Sequence, residues 1–509
     1  MKKLQKYWDE KPLAVIIVLA AIFRLVAVIF SKGYGMHDDH FLVIEAAQSW
    51  VDGADYNDWL PSSSKTNKPS GHSLLYPGLH FILFKVLQFI GMEDPQNKMY
   101  IVRFLHAAWS MIIVYLGYLI AFQKGGIKVA RTTGLLLAIL FFMPIMSVRN
   151  LVEFVCIPPL LYATWIVIKN EKIEKAFPFI IAGLMLSLAF SLRFQTILFI
   201  GGFGLAFLIL KKWKEAIWIV IGFLTGLIII QATTDLLIWK KPFVELIEYI
   251  RYNLANSGDY PNLNWYTYLL LIGGILIPPI SLFIIFGFIT SWKKQILLFL
   301  PAFIFFIFHS SFPNKQERFI LPVIPFIIIL GCIGWYRYMS ESNFWKKNNK
   351  LYDRCWIFFF FLNTIPLFFI SAAYSHRSRV ETMVYLSEKK DLNNVLIEES
   401  NHDYYTMPPR YYLKQWKSDY FVTSVFTVDS MAKRLNASPP SLIPNYIVFN
   451  QPENISQRVE SMKKIFPEMV YETTIEPGFI DKVMHFLNKH NANFTSYVYR
   501  TGNVKRIEE

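Results

Sequence analysis

The strongest constraint on this chain is a series of apolar runs, each about as long as a bilayer core is thick. A helix needs about 20 apolar residues to cross a membrane, and the backbone polar groups of a crossing segment must be hydrogen-bonded within the protein. Eleven segments come close to this length, near residues 13–30, 100–122, 132–148, 151–168, 177–192, 194–210, 215–237, 266–290, 295–309, 319–337 and 355–373. The sequence therefore predicts a polytopic α-helical membrane protein with about eleven transmembrane helices.

The distribution of charge supports this prediction and orients the chain. A net charge of +14 would suggest nucleic-acid binding in a soluble protein, but 54% of the residues are apolar and only 17% are charged. The basic residues gather in short loops between the apolar runs: Lys124-Lys128-Arg131, Lys169-Lys172-Lys175, Lys211-Lys212-Lys214, Lys293-Lys294 and Lys346-Lys347-Lys350-Arg354. The positive-inside rule places these loops and the N-terminus in the cytoplasm. An odd number of crossings then places the C-terminus outside.

A further apolar segment, residues 72–90, is interpreted as a helix that lies in the membrane interface. It contains Pro77, His80 and Lys85, and a crossing there would invert every later loop. An amphipathic helix with such polar residues is typical of the interface. We therefore expect residues 31–99 to form a first extracytoplasmic loop with interfacial helices.

The long apolar runs end near residue 375, and the rest of the chain has the pattern of a water-soluble α/β domain. Residues 1–375 are predicted to form the transmembrane catalytic domain, and residues 376–509 a soluble extracytoplasmic domain. Strand-like runs are Asn394 to Ile397, Tyr420 to Val428, Tyr446 to Asn450 and Val470 to Thr474, and helical runs are Ile455 to Ile465 and Phe479 to Lys489. The cysteines Cys156, Cys332 and Cys355 lie in or beside apolar runs, so no disulfide framework is expected.

Charged side chains interrupt the apolar runs mainly on the predicted outer face. The first group, His37-Asp38-Asp39-His40, follows the first apolar run directly, and a second group comprises Lys315 and Arg318. A solvated loop would explain the first group alone, and headgroup snorkelling would explain the second alone. Charge at a membrane boundary is costly and usually functional, so their common side favours a site.

Two motifs resemble those of the GT-C superfamily of integral-membrane glycosyltransferases, and most closely glycosyltransferase family 22. In that family a His-Pro-Asp-Glu motif precedes a later Glu. With one gap, Asp38 takes the position of its Asp, Asp39 that of its Glu and Glu45 that of the later Glu; without the gap, Asp39 takes the position of the Asp. The turn Lys68-Pro69 is a further similarity.

The second motif of the family reads His-Lys-x-Glu-Arg-Phe. It stands here as Asn314-Lys315-Gln316-Glu317-Arg318-Phe319, with the His replaced. Weaker similarities are Arg149 with Glu153, Arg193-Phe194-Gln195, Asp235 followed by Phe243, and Tyr252-Asn253. The resemblance implies a mannosyltransferase that uses dolichyl-phosphate mannose.

Sugar transfer from a lipid phosphate needs a carboxylate that accepts the acceptor's proton and cations that stabilise the departing phosphate. We assign the first role to Asp38 or Asp39. Donor phosphate binding is assigned to Lys315, Arg318 and Arg193, and the further substrate-site candidates are His37, Glu45, Arg149, Glu153, Glu317 and Asn253. Adjacent residues on one loop seldom converge on one ion, so no metal site and no cofactor are predicted.

The predicted function is that of an inverting glycosyltransferase, which moves a hexose, mannose by resemblance, from a polyprenyl- or dolichyl-phosphate carrier to a glycan or glycolipid outside the cytoplasm. One alternative is a transferase that acts on protein or lipid A-like acceptors. Another is a transporter, which would favour an inverted repeat and charges at the midplane. Abundant Ile, Lys, Asn and Phe are typical of an AT-rich bacterial genome, which favours a bacterial inner membrane. The glycosylation sequons at Asn436, Asn454 and Asn493 would matter only in an endoplasmic reticulum.

Overall fold

The computed structural model describes residues 2–61, 68–171, 175–256, 263–489 and 495–502. The chain forms two compact units, and each unit is assembled from three separate stretches of the sequence. The first comprises Met1–Ile29, Asn57–Leu83 and Tyr100–Ala372, and the second comprises Phe30–Tyr56, Phe84–Met99 and Ala373–Glu509. Parts of the first predicted extracytoplasmic loop therefore belong to the same unit as the C-terminal region.

Apolar helices dominate the first unit and make this an integral membrane protein. Among the described residues, six helices are long and apolar enough to cross a membrane: Pro12–Phe30, Pro95–Ile139, Val152–Lys169, Trp213–Trp239, Glu317–Glu341 and Asn349–Ser371. Five shorter apolar helices are Leu75–Phe89, Ala176–Leu192, Phe194–Ile209, Ile280–Thr290 and Ile296–Ser311. The predicted polytopic α-helical class is confirmed, while the number of eleven crossings stays a prediction.

Three of the predicted segments are divided differently in the structure. Segment 100–122 and the first part of segment 132–148, up to Ile139, form one element, Pro95–Ile139, which bends at Gly126, where φ is 76°. Segment 266–290 instead forms two helices, Thr267–Ile275 and Ile280–Thr290. The adjacent prolines 278 and 279 separate them, because proline lacks the N–H that an α-helix uses.

Other helices of this unit are short or polar: Lys2–Glu10, Met143–Met146, Val244–Ala255 and Asn343–Lys347. The helix Leu75–Phe89 exposes Leu79, Ile82, Val86 and Phe89 at helical spacing. Its 15 residues span about 22 Å, less than a bilayer core of about 30 Å. These properties suit the predicted interfacial position.

Small and polar side chains join the apolar helices. A Cβ on Gly331 would lie 2.6 Å from the carbonyl oxygen of Ile284, so the helices Ile280–Thr290 and Ile324–Glu341 approach more closely than a larger residue would allow. Arg24, in the first apolar helix, is 1% exposed, and its Nε donates to Ser110 Oγ at 2.8 Å. The Arg24 guanidinium thereby links the first apolar helix to the element Pro95–Ile139.

The second unit contains a five-stranded sheet with strands β1 Val395–Glu399, β2 Tyr420–Thr423, β3 Tyr446–Asn450, β4 Val470–Ile475 and β5 Ser496–Arg500. The strand order is β2-β1-β3-β5-β4, in which β1 pairs in parallel with β2 and β3, and β5 runs antiparallel to β3 and β4. Its helices include Arg377–Ser387, Arg410–Leu413, Val428–Asn436, Ile455–Lys463 and Phe479–Leu487. The predicted α/β pattern is confirmed.

The predicted strand from Tyr420 to Val428 is too long. It ends at Thr423, whose hydroxyl accepts a hydrogen bond from the backbone N–H of Phe426 at 2.9 Å. Hydroxyl side chains compete in this way with strand pairing and favour turns. The strand β5 and the helices Arg377–Ser387 and Val428–Asn436 were not predicted.

A buried carboxylate holds the turn that precedes the helix Leu75–Phe89. Glu245 is 0% exposed, and its carboxylate accepts hydrogen bonds from Ser70 Oγ at 3.0 Å, Gly71 N at 2.7 Å and Trp239 Nε1 at 2.7 Å. The backbone N–H of Glu245 donates to Asp235 at 3.3 Å. Burial raises the pKa of Glu245 to about 7, although the hydrogen bonds favour its ionised form.

The raised pKa of Glu245 predicts a pH-dependent stability. Between its usual value of 4.5 and about 7, the folded chain retains a proton that the unfolded chain has released, so stability falls as pH rises through this window. The unfolding temperature in detergent should therefore fall from pH 5 to pH 8, and Glu245→Gln should reduce this fall. Glu248→Gln, on the same helix, is the control. An equal fall in wild type and Glu245→Gln would contradict the assignment.

Candidate active site

The acidic turn after the first apolar helix lies in the second unit. Asp39 is 2% exposed, and its carboxylate accepts hydrogen bonds from the backbone N–H groups of Gly35 at 2.8 Å and Met36 at 3.0 Å. Both oxygens thus stabilise the start of the short helix His37–His40. Asp39 is occupied in holding the turn.

Asp38 and His37 occupy the outer side of the same turn. Asp38 is half-buried and His37 is exposed, and the His37 ring stacks on Phe41 with 4.6 Å between centroids. Successive residues of a helix point about 100° apart, so Asp38 and Asp39 do not share an environment. Asp38 is the carboxylate of this pair that solvent reaches more readily.

His40 and Glu45 form a buried pair beneath this turn. Their exposed fractions are 1% and 0%, and His40 Nε2 lies 3.2 Å from Glu45 Oε1, which also accepts from the backbone N–H of Tyr411 at 3.1 Å. The pair spans the π-helical turn Phe41–Glu45, a distortion that is frequent at functional sites. In this position Glu45 orients His40 from within the unit.

Aromatic side chains from the C-terminal region surround the acidic turn. The Tyr34 ring lies between His40 and His376, with centroid distances of 4.7 and 4.6 Å, and His40 also stacks on Tyr412 at 5.5 Å. The Arg379 guanidinium lies 5.4 Å from the Tyr34 ring. Sequence reasoning missed these groups, because more than 300 residues separate them and no shared motif links them.

The first unit contains a separate, positively charged cluster. Arg193 and Glu153 form a direct ion pair, and Arg318 Nε lies 3.7 Å from the same Glu153 oxygen. Arg193 and Arg318 are each 6% exposed, and Glu153 is 2% exposed. The two buried guanidinium groups therefore share the carboxylate of Glu153.

The motif residues around Arg318 fix the position of its side chain. Arg318 Nε donates to Gln316 Oε1 at 2.8 Å, and the Gln316 carbonyl accepts from the Tyr268 hydroxyl at 3.0 Å. The guanidinium groups of Arg193 and Arg318 each lie 5.4 Å from the Phe319 ring centroid, within the range of a cation–π interaction. Phe319 thus contacts both cations.

Arg193 lies at a break between two apolar helices. The helix Ala176–Leu192 ends at this residue, whose backbone is extended at φ −151° and ψ 106°, and a 3₁₀ turn follows. In the structure as described, Arg193 Nε and Nη2 have no hydrogen-bond partner. A buried N–H group without an acceptor is costly, so these donors are suited to an anionic ligand.

Lys315 and Glu317 do not lie as the motif alone suggests. Lys315 is 8% exposed, and its Nζ donates to the carbonyls of Leu263 at 2.9 Å and Phe312 at 2.6 Å. This ammonium group therefore ties the loop together and has limited capacity for a phosphate. Glu317 is exposed, and the carboxylate beside Arg318 is that of Glu153.

The last two candidates, Arg149 and Asn253, lie on different elements of the first unit. Arg149 is 2% exposed, and its carbonyl accepts from His106 Nδ1 at 3.2 Å. Asn253 is half-buried, and its Nδ2 donates to the carbonyl of Tyr249 at 2.8 Å within the helix Val244–Ala255. Arg149 lies in the interior of the unit, whereas the Asn253 amide is engaged within its own helix.

Solved structures share this fold across nearly the whole chain. ArnT from Cupriavidus metallidurans, solved bound to undecaprenyl phosphate, has a TM-score of 0.59 at 11% identity, with 96% of this chain and 97% of that chain covered. Its apo form has a TM-score of 0.62 at 12% identity, with the same coverage. The Archaeoglobus fulgidus oligosaccharyltransferase has a TM-score of 0.54 at 10% identity, with 90% and 72% covered. The expected GT-C fold is confirmed.

Sequence comparison identifies the family. A mannosyltransferase of Arabidopsis thaliana, APTG1, is 24% identical over 402 residues, which are 74% of this chain and 70% of that protein. The model of the Alg9-like mannosyltransferase family matches residues 15–413, a range that includes the acidic turn and the arginine cluster. The protein is thus a glycosyltransferase, and it belongs to the Alg9-like mannosyltransferase family.

Proposed function

We propose that the protein transfers mannose from a polyprenyl- or dolichyl-phosphate carrier to a glycan or glycolipid acceptor, with inversion at the sugar carbon. The observations that carry the proposal are the buried contact of the Arg193 and Arg318 guanidinium groups with the Glu153 carboxylate and two Arg193 N–H groups that find no acceptor among the described residues. Guanidinium groups recognise phosphate well because they donate hydrogen bonds in a planar array. The ArnT structure that shares the fold contains undecaprenyl phosphate, which supports a lipid phosphate as the anion.

The charge change of the reaction suits this cluster. The acceptor hydroxyl oxygen bonds to the sugar carbon, and the bond from that carbon to the phosphate oxygen breaks. The carrier changes from a phosphodiester with one negative charge to a phosphate monoester whose second pKa is about 6, so negative charge develops on the leaving group. Arg193 and Arg318 would stabilise that charge in the transition state, which accelerates the reaction.

Asp38 is our proposed base for the acceptor hydroxyl. It would receive the proton that the hydroxyl loses as the new glycosidic bond forms. Asp39 would support Asp38 by holding the turn, since both of its oxygens already accept backbone hydrogen bonds. The proposed reaction uses no metal, because the arginines supply the positive charge.

The proposed orientation places the reaction outside the cytoplasm. Asp38 follows the predicted outer end of the first apolar helix, and the basic loops between the apolar helices define the inner side. A bacterial plasma membrane is the proposed location, on the grounds of composition. Asn436 and Asn454 lie in the described part of the C-terminal region, whereas Asn493 lies outside the described residues.

Cysteine labelling tests the orientation. In a background without Cys156, Cys332 and Cys355, Asn436→Cys and Lys347→Cys each place a thiol at an exposed position. An impermeant maleimide applied to intact cells should label position 436 and leave position 347 unlabelled until the cells are opened. The reverse pattern would show that the predicted orientation is wrong.

Substitution of the arginines tests donor binding. Arg318→Ala and Arg193→Ala should each lower kcat/KM by about 100- to 1,000-fold, as expected when a donor to developing charge is lost. Arg318→Lys should recover part of the loss, because charge remains while the planar donor array is removed. The control is Arg354→Ala, because Arg354 is an exposed arginine in the helix Asn349–Ser371. Equal, small effects of all these substitutions would contradict the assignment.

Amide substitutions separate the two carboxylates of the acidic turn. Asp38→Asn should lower kcat by about 100- to 10,000-fold, with unchanged binding of the lipid-phosphate donor and an unchanged unfolding temperature. Asp39→Asn should mainly lower the unfolding temperature, since it weakens the backbone hydrogen bonds at Gly35 and Met36. If Asp39→Asn abolishes turnover at normal stability while Asp38→Asn stays active, Asp39 is the base.

A further inference from the structure

The helix Phe479–Leu487, which we call the C-terminal helix, carries a large exposed apolar face. Phe479, Met484, Phe486 and Leu487 are 66%, 50%, 77% and 72% exposed. At 100° per residue these side chains fall on one side of the helix together with Val483. Contiguous exposed apolar patches of this kind mark surfaces that bind another protein or a membrane.

The opposite side of the C-terminal helix is polar. It carries Asp481, Lys482 and His485, and Lys489 follows its last turn. Lys482 and Lys489 are exposed, and both can reach anionic headgroups when the helix lies flat. A narrow polar side with lysines beside a wide apolar face is typical of helices that lie in a membrane interface.

The start of the C-terminal helix packs against Tyr374, in the segment that follows the last apolar helix in the chain. Gly478 precedes the helix, and a Cβ at this glycine would lie 2.6 Å from the carbonyl oxygen of Tyr374. Tyr374 is three residues beyond Ser371, where the apolar helix Asn349–Ser371 ends. Three residues span at most about 10 Å, so the chain connects Tyr374 to the end of the last apolar helix over a short distance.

The end of the first apolar helix lies beside the same segment of the chain. Ser31 follows Phe30, the last residue of that helix, and its hydroxyl donates to the carbonyl of Ala373 at 3.2 Å. Gly33 and Ser375 form a parallel backbone bridge. Two membrane exits therefore meet beside the residue against which Gly478 packs.

We propose that the C-terminal helix lies in the surface of the phospholipid bilayer, with its apolar face inserted at the boundary between headgroups and acyl chains. The proximity of its first residue to two membrane exits identifies a lipid surface as the partner. The helix gives the C-terminal domain a second attachment to the membrane, in addition to the covalent link at Ala372. This inference does not depend on the sugar that the enzyme transfers.

Fluorescence quenching by brominated lipids tests the proposal. The full-length protein without native cysteines is given Met484→Cys or Leu487→Cys, labelled with bimane and reconstituted into phosphatidylcholine–phosphatidylglycerol vesicles. Val425→Cys is the matched control, because Val425 is 74% exposed in the same domain and lies away from the C-terminal helix in the sequence. The labelled proteins should elute like the wild type on size exclusion in detergent before they are compared.

Brominated acyl chains should quench bimane at positions 484 and 487 at least several-fold more than at position 425. Equal quenching at all three positions would overturn the proposal. Quenching that grows with dilution of the protein in lipid would show that a second copy covers the face at high density, and it would overturn a permanent lipid contact. Independence from the protein-to-lipid ratio is the expected result.

Discussion

The central interaction of this protein is the buried ionic contact of Arg193 and Arg318 with the single carboxylate of Glu153. These charged groups are removed from water together, and desolvation makes such a cluster costly unless hydrogen bonds satisfy its polar atoms. Among the described residues, Arg193 Nε and Nη2 find no acceptor, so the cluster is better explained as a binding determinant than as a source of stability. In the proposed function, a lipid-linked phosphate supplies the acceptors for these donors.

The backbone of the first unit is arranged to permit this interaction. Glu153 lies on the short helix Val152–Val155, Arg193 ends the helix Ala176–Leu192, and Arg318 lies on the 3₁₀ turn Glu317–Val323. Irregular backbone at membrane depth is tolerated only where protein or a cavity surrounds it. Each of the three charged residues thus lies where a helix is short, ends or becomes a 3₁₀ turn. The surrounding apolar helices enclose this irregular backbone.

Much of the fold could be predicted from the sequence, because the bilayer imposes a simple length rule on apolar segments. The first apolar helix and the helix Ala176–Leu192 match their predicted ranges to within a residue or two. Exceptions have local causes: Gly126 bends one long element, and two prolines divide another. In the sheet, β5 was missed because a run as short as Ser496–Arg500 is a strand chiefly through its pairing with β3 and β4.

The candidate site was only partly predictable, since sequence motifs identify residues but not their partners. The motifs directed attention to Arg193, Arg318 and Glu153, whose side chains the structure brings together. They could not show that Lys315 is engaged by two carbonyls, or that Asp39 caps a turn. Glu245 was not selected at all, because a lone Glu in a polar loop carries no signal until the turn at Gly71 folds against it.

The division of the chain into two units also bears on mechanism. The acidic turn and the arginine cluster belong to different units, so the proposed base and the proposed phosphate ligands are held by different parts of the fold. Each group is stabilised within its own unit, the turn by His40, Glu45 and Tyr411 and the cluster by Phe319 and Gln316.

The most direct test of the central claim is a transfer assay with purified protein in which only the donor is varied. Radiolabelled mannose is offered either on polyprenyl phosphate or on a nucleoside diphosphate, with a set of candidate glycan and glycolipid acceptors, and the product is analysed for the configuration of the new bond. We expect transfer from the polyprenyl-phosphate donor alone, with the anomeric configuration inverted. Transfer from the nucleotide donor, or retention of configuration, would contradict the account.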